Sequence, residues 1–165
     1  MRETQSVQTF FELAEEVTRD AGFLMMTYGS ILDMEDCYVA HSQGNMAGAL
    51  FALGRNKINI RDSKIYDNIS NKAGTITIEG ATECNIHDTE LQLNRGGPDL
   101  RVLNSNITLH NILFGKNYDA SFIRATNTNI LVEDSRFVKG GNNNTLGGAI
   151  YCDCNNATII NNKFQ

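Results

Sequence analysis

The sequence predicts an all-β fold, a single-stranded parallel β-helix of about five to six rungs. Similar segments begin at Gly22, Gly48, Gly74, Leu100, Ser121 and Gly148, so the spacings are 26, 26, 26, 21 and 27 residues. Within each repeat, apolar and polar residues alternate over short stretches, as they do in strands with one face toward a core. A period of this size is typical of solenoids, whose repeats bury their apolar residues against their neighbours.

Each repeat contains three apolar segments, which we interpret as the three strands of a rung. The first segment supplies the inward columns Leu24, Leu50, Ile76, Val102, Ile123, Ile150 and Met26, Ala52, Ile78, Asn104, Ala125, Cys152. The second supplies Leu32, Ile58, Cys84, Ile107, Ile130, Ala157 and Met34, Ile60, Ile86, Leu109, Val132, Ile159. The third supplies Val39, Ile65, Leu91, Phe114, Phe137 and Phe164. Parallel crossovers are overwhelmingly right-handed, so we expect a right-handed coil.

Polar residues recur where the chain must bend. The corner between the second and third segments reads Asp36, Asp62, Asp88, Asn111, Asp134 and Asn161. We interpret this column as a requirement for left-handed backbone, which Asp and Asn tolerate, in preference to a calcium site. A second column contains Asn68, Asn94 and Asn117, with Gly140 in the same place, and we expect the same backbone explanation there.

Residues 1–21 allow two interpretations, and residues 22–165 form the predicted β-helix. Val7, Phe10, Phe11, Ala14, Val17 and Ala21 lie on one helical face, which suits a helix that caps the first rung. The alternative is a partial rung, because Leu13 stands nine residues before Gly22, as Val39 stands nine residues before Gly48.

Two sequence features resemble a known family. They are Gly147-Gly148-Ala149-Ile150 and the Phe-x-x-Asn form from Phe114 to Asn117. Both resemble the repeats of polymorphic outer-membrane proteins and, more broadly, pectin-lyase-like right-handed parallel β-helices. The resemblance spans residues 22–165 and implies a fold rather than an activity, because that fold carries lyases, glycosidases, adhesins and inert spacers.

Charge and cysteine content restrict the classes of partner and leave the compartment open. The net charge is −5 without a basic run, which argues against nucleic acid, and no apolar run is long enough to span a membrane. Four glycosylation sequons slightly favour the cell surface or extracellular space, whereas cysteines interpreted as unpaired core residues suit an intracellular complex equally well. Cys152 and Cys154 are so close in sequence that we predict no disulfide bond between them.

One outward column of the second strand offers weak candidates for chemistry. It reads Glu35, Arg61, His87, His110, Glu133 and Ile160. Two imidazoles one rung apart and a carboxylate, namely His87, His110 and Glu133, could hold a transition metal or serve in acid–base chemistry. We prefer a solvated polar stripe, and we predict no catalytic residue, no bound metal and no cofactor.

The outward face of the first strand is predicted to be a contact surface. Its partly exposed apolar ridge comprises Phe23, Met25, Phe51, Leu103, Phe122 and Tyr151, and it is crossed by Arg101 and by Arg124, which we add to the candidate binding residues. The outward positions contain no carboxylate, and apolar residues gathered on one face usually mark contact. We therefore expect another chain, a loop or a glycan to cover this face.

These observations favour a non-catalytic structural or adhesive β-helix segment of a larger surface or multi-protein assembly. The alternatives are a carbohydrate-active or carbohydrate-binding domain and an intracellular scaffold. Because Ile150, Ile159 and Phe164 lie at the floor of the last rung, we also expect a protein partner or further repeats to stack on the C-terminal end.

Overall fold

The computed structural model describes residues 20–117, 119–140 and 148–165. The first strands in chain order are β1 (Leu24–Met26), β2 (Ile31–Glu35), β3 (Tyr38–Ala40), β4 (Gln43–Gly44), β5 (Ala47–Leu53), β6 (Lys57–Arg61) and β7 (Lys64–Tyr66). The next are β8 (Ile69–Ser70), β9 (Gly74–Glu79), β10 (Glu83–His87), β11 (Glu90–Gln92), β12 (Leu100–Leu103), β13 (Asn106–His110) and β14 (Leu113–Gly115). The last are β15 (Ile123–Thr126), β16 (Asn129–Glu133), β17 (Arg136–Val138), β18 (Ile150–Asp153), β19 (Asn156–Ile160) and β20 (Lys163–Phe164).

The strands form three parallel sheets of six strands each, so the predicted solenoid is confirmed. The first sheet has the order β1-β5-β9-β12-β15-β18, the second β2-β6-β10-β13-β16-β19, and the third β3-β7-β11-β14-β17-β20. Each rung therefore supplies one strand to each sheet. The short strands β4 and β8 form a separate pair at the corner that leads from the third sheet to the first.

The second and third sheets have the predicted register throughout. Ile60, for example, pairs with Ile86, which pairs with Leu109, and Leu91 pairs with Phe114. These residues line a continuous core along the axis of the solenoid. Each rung alone is too small to bury its apolar side chains, so the stacking of rungs supplies the hydrophobic stabilisation.

The predicted register of the first sheet was wrong in the fourth rung. Ile76 pairs with Leu100, and Ile78 pairs with Val102, so the strand is displaced by two residues from the predicted alignment. A displacement of two residues leaves the same side chains facing the core, so the alternation pattern cannot detect it. Asn104, which was predicted to point inward in this strand, instead lies after it with a φ of 49°.

Phenylalanine rings stack along the axis in the C-terminal half of the core. The rings of Phe114 and Phe137 have centroids 4.8 Å apart and an angle of 8° between their planes. Phe164 continues the stack on Phe137 with the same separation and an angle of 9°. The ring separation matches the strand spacing, so each ring follows directly from the register of the third sheet.

The Asp and Asn corner requires left-handed backbone, as predicted. The φ values of Asp36, Asp62, Asp88, Asn111, Asp134 and Asn161 lie between 50° and 54°. The corresponding explanation for Asn68, Asn94 and Asn117 was wrong, because the positive φ values fall one residue earlier, at Asp67, Leu93 and Lys116. The asparagines themselves are fully buried.

The buried side chains of the asparagine column form hydrogen bonds with backbone groups at this bend. The Asn68 Oδ1 accepts a hydrogen bond from the backbone N–H of Ser42, and Asn94 Oδ1 accepts one from the backbone N–H of Asn68. The amide group of Asn68 in turn donates to the carbonyl of Val39, and that of Asn94 donates to the carbonyl of Ile65. The column therefore satisfies buried backbone groups where the strands are interrupted.

Replacing Asp62 tests the left-handed corner. Asp62 has a φ of 50° and an exposed side chain, so the substitution acts mainly on the backbone. We expect Asp62→Val to lower the free energy of unfolding by about 1–2 kcal/mol, whereas Asp62→Asn should leave it nearly unchanged. Urea unfolding followed by circular dichroism measures both, and equal stability of the two variants would contradict the assignment.

Of residues 1–21, the structure describes only Asp20 and Ala21. The choice between a cap helix and a partial rung therefore lies outside the described residues. Ala21 forms an isolated parallel bridge with Ala47, and the carbonyl of Asp20 accepts hydrogen bonds from the backbone N–H groups of Met46 and Ala47. The boundary at residue 22 therefore remains a prediction.

Candidate functional site

The contact ridge that was predicted on the first sheet has a different composition in the structure. Met25, Phe51, Thr77, Arg101, Arg124 and Tyr151 form one outward column. Arg124 is exposed, and its guanidinium carbon lies 5.5 Å from the centre of the Tyr151 ring, an arrangement favourable for a cation–π contact. Met25 and Phe23 at the other end are 48% and 38% exposed.

Two of the predicted ridge residues are buried, so their expected exposure was wrong. Phe51 is only 7% exposed, and its neighbour Thr77 donates a hydrogen bond to the backbone carbonyl of Met46. The segment that contains Met46 therefore lies over this part of the sheet. Phe122 is 1% exposed and belongs to the core, where its ring lies 5.8 Å from that of Phe114 and 5.9 Å from that of Phe137.

Leu103 was also assigned to the wrong column. It pairs with Glu79 on one side and Thr126 on the other, and Thr126 pairs with Asp153. The true register therefore brings two carboxylates, Glu79 and Asp153, into the column of Leu103. They lie three rungs apart, roughly 14 Å at the strand spacing, which is too far for a pair of carboxylates acting on one glycosidic bond.

The histidine column has the predicted register. His87 pairs with His110, and His110 pairs with Glu133. Each imidazole, however, contacts a corner aspartate: His87 Nδ1 lies 2.9 Å from Asp88, and His110 Nε2 lies 3.4 Å from Asp134. Within residues 20–117, 119–140 and 148–165, no group of three His, Cys, Asp or Glu side chains is arranged to hold a metal ion.

The carboxylate of Asp88, in the neighbouring corner column, contacts side chains of two rungs. Its Oδ1 accepts a hydrogen bond of 2.6 Å from the Asn111 amide, and its Oδ2 contacts His87. Both contacts, that of Asn111 first, hold the pKa of Asp88 below its usual range. Asp88 is thus an anion at neutral pH, and its hydrogen bonds link two adjacent rungs.

A shallow groove of about 320 Å³ runs along the outside of the second sheet. Its edge carries an exposed asparagine ladder, in which the Asn129 amide donates to Asn106 over 2.7 Å and the Asn156 amide donates to Asn129 over 2.9 Å. Thr108 and Leu131 lie on its floor. The sequence analysis did not identify this groove, although the residues immediately before Ile107, Ile130 and Ala157 are all asparagine.

Asp99 is a buried carboxylic acid beside the asparagine column. It is fully buried, and its Oδ1 accepts a hydrogen bond of 2.9 Å from the Asn94 amide. Among the residues that the structure describes, none donates to its Oδ2, and the buried hydroxyl of Thr75 likewise has no partner. Burial raises the pKa of Asp99 well above its usual range, despite the opposing effect of Asn94. Sequence patterns did not reveal this group.

The cysteines differ from the predicted arrangement in one respect. Cys152 and Cys154 form a disulfide bond with their Cα atoms 5.2 Å apart, so the prediction that they do not pair was wrong. Cys154 follows the last residue of β18, and the separation of the two Cα atoms lies within the range that a disulfide bond spans. Cys37 and Cys84 are free thiols, and burial raises the pKa of Cys84.

The last rung exposes the residues that its predecessors bury. Ile159 is 48% exposed and Phe164 is 54% exposed, whereas Val132 and Phe137 one rung earlier are 0% and 2% exposed. Ile160 on the outward face adds a further exposed apolar side chain. This end of the described solenoid is therefore an apolar surface bordered by three strand edges.

The comparisons with known proteins support the architecture and do not identify an activity. No helix among the described residues is both long and apolar enough to cross a membrane. Neither the curated proteins nor the solved structures contain a significant match. A family model for the right-handed β-helix region matches residues 18–165. Together with three six-stranded parallel sheets, this match shows that the chain belongs to the right-handed β-helix family.

Proposed function

We propose that the chain is a non-catalytic structural or adhesive segment of a larger assembly. The observation that carries this proposal is the set of side-chain contacts that join neighbouring rungs on the outside of the second sheet, such as those of Arg61 with Asp33 and Glu35 and that of Asn129 with Asn106. The regular core and the continuous side-chain ladders suit a rigid spacer.

The arrangement of acidic and basic groups also supports a structural role. On the second sheet, Arg61 binds Asp33 and Glu35 at 2.6 and 2.7 Å, and His87 and His110 contact corner aspartates. These groups bridge neighbouring rungs or residues. On the first sheet, Glu79 and Asp153 are separated by three rungs.

A polysaccharide screen tests the non-catalytic part of the proposal. We expect no release of reducing ends or unsaturated products when the purified chain is incubated with pectin, polygalacturonate, xylan, chitin and alginate. Turnover that is lost in both His87→Asn and Glu133→Gln would contradict the proposal and assign catalysis to the histidine column. The control is Lys64→Gln, which changes an exposed residue on the third sheet.

Carbohydrate binding without cleavage is a second candidate, and the groove on the second sheet favours it. Amide and hydroxyl groups, such as those of Asn106, Thr108 and Asn129, can both donate to and accept from sugar hydroxyls. The groove is also neutral along most of its length, with Glu83 at one end.

Titration with neutral hexasaccharides, followed by backbone amide NMR, tests this second function. Binding predicts shifts confined to β10, β13, β16 and β19, which line the groove; Asn129→Leu should abolish these shifts and Lys64→Gln should preserve them. Unchanged spectra with cellohexaose, maltohexaose and chitohexaose would contradict it.

A further inference from the structure

Exposed cations gather on the outward face of the third sheet in its later rungs. They are Lys116, Arg136, Lys139 and Lys163, which we call the basic patch. Arg136 pairs with Lys163 in the next rung, so the two side chains lie side by side. The backbone N–H of Lys116 donates to the carbonyl of Val138 over 2.9 Å, which places Lys139 beside Lys116. Each pair of cations is therefore separated at the backbone by one strand spacing of about 4.8 Å.

The same two columns carry mixed charges in the earlier rungs. In one column, Lys64 lies 3.6 Å from Glu90. In the other, Asp67 lies 3.2 Å from His41 in the preceding rung. Opposite charges on adjacent strands stabilise a sheet modestly, whereas like charges directly opposite one another destabilise it. The basic patch therefore departs from the arrangement that the same columns show nearer the N-terminus.

Neither Arg136 nor Lys116 has an acidic neighbour within its column. Arg136 lies between Leu113 and Lys163, and Lys116 lies between Leu93 and another lysine. Among the ion pairs of the described residues, none involves the basic patch. Because the cations repel one another and have no acidic neighbour, an acidic partner would relieve this repulsion.

The extent of the patch distinguishes between classes of anionic partner. It covers three adjacent rungs. Acids border it, because Asp134 stands two residues before Arg136 and Glu90 lies two rungs earlier in the same column. A polysaccharide, a nucleic acid or a lipid bilayer carries charge far beyond such an area and would meet these acids and the net charge of −5. An acidic segment of a protein can be as short as the patch, so its attraction is not offset in this way.

The side chains around the cations also favour a protein. Leu113 and Val138 are half-buried outward residues of the strands that carry the patch, and protein–protein interfaces combine apolar and charged groups in this manner. Single strands of nucleic acid, by contrast, stack their bases on aromatic rings. The outward aromatic pair that the structure describes on the third sheet, Tyr38 and Tyr66, lies in the first two rungs and outside the patch.

We propose that the basic patch binds an acidic polypeptide segment of a partner protein. Carboxylates of the partner would contact Arg136 and Lys163 in one column, and Lys116 and Lys139 in the other. Arg136 can hold a carboxylate through two parallel hydrogen bonds, whereas the lysines act as point charges. This inference rests on the proposed function, because it names the chemistry of a partner within the larger assembly.

A synthetic peptide in which Asp and Glu alternate with Ser and Gly provides the probe. Its counterpart with Asn and Gln in place of the acids is the control peptide. We expect saturable binding of the acidic peptide to the full chain, with amide NMR shifts at the basic patch, and no binding of the neutral peptide. Salt at about 1 M, where the screening length is about 3 Å, should remove most of the affinity.

Charge reversal tests whether the peptide lies on the patch. The double variant Arg136→Glu with Lys139→Glu should bind the acidic peptide at least about tenfold more weakly, as the reversal of two exposed charge contacts predicts. The same variant should gain affinity for a peptide with Lys in place of the acids, which also shows that it is folded. The control is Arg55→Glu with Lys72→Glu, which changes the net charge equally at exposed residues elsewhere and should bind as the parent does.

Three results would overturn the inference. They are no binding of the acidic peptide, an equal loss of affinity in both double variants, and no gain of affinity for the Lys peptide in the reversed variant. Tighter patch-dependent binding of polygalacturonate, oligothymidylate or vesicles of equimolar phosphatidylcholine and phosphatidylserine, compared per negative charge, would also overturn it in favour of an extended polyanion. Polysaccharide turnover, measured separately, is the result that would contradict the proposed function instead.

Discussion

Replacing Ile86 with Asp is expected to abolish cooperative folding. Ile86 is 1% exposed, and its partners Ile60 and Leu109 in the adjacent rungs are fully buried. An unpaired carboxylate at this position would lose its hydration without gaining a partner. The penalty of several kcal/mol is comparable with the about 5–15 kcal/mol that stabilises a typical domain.

Urea unfolding monitored by circular dichroism measures this effect. The control is Thr108→Asp, which places the same charge on the outward face of β13 and should retain a cooperative transition. If Ile86→Asp keeps a cooperative transition with a urea midpoint close to that of the parent, the assigned register of the second sheet is incorrect.

Replacing Asp99 with Asn is expected to stabilise the protein above neutral pH. The folded-state pKa of Asp99 is raised by burial, so the folded state retains the proton more strongly than the unfolded chain. The stability from this group is fully present below its unfolded pKa of about 3.9 and is lost as the pH rises through the folded pKa. Asn keeps the acceptor for Asn94 and never ionises, so this loss should disappear.

The difference in unfolding free energy between Asp99→Asn and the parent should therefore grow with pH. We expect about 1–3 kcal/mol at the alkaline end, the range for a buried polar group that lacks a partner. Surface carboxylates such as Asp88, whose lowered pKa makes stability rise with pH, are present in both proteins. Their contribution therefore cancels when the two unfolding free energies are subtracted. A difference that stays constant from pH 5 to pH 9 would contradict this account.

The alternation of apolar and polar residues predicted most of the architecture, because the same pattern recurs in each rung. Columns such as Ile60, Ile86 and Leu109 have the same register in sequence and structure. The fourth rung was misaligned at Val102 because the two possible registers keep the same alternation. The pairing of the whole strand with its neighbours distinguishes the two registers, and the left-handed Asn104 follows the strand and donates its backbone N–H to the carbonyl of Thr126.

The surface was less predictable than the core because loops decide what is exposed. Phe51 alternates with core residues as an outward side chain should, and it is nonetheless buried in the structure. The position of the segment around Met46, which crosses the sheet, is a tertiary property that strand periodicity does not encode. Asp99 was missed for a similar reason, since its burial depends on the loop that precedes β12.

Extending the solenoid by one rung tests most directly whether the stacking of successive rungs in register stabilises the fold. Val138 occupies the same position in its rung as Gln165, so a copy of residues 116–138 joined after Gln165 continues the register. We predict a higher urea midpoint and protection of the Asn161 and Asn162 amides from hydrogen exchange. The same extension with Ile130→Asp and Val132→Asp in the added copy should produce neither change. An unmodified extension that leaves the midpoint and the exchange of both amides unaltered would contradict the account.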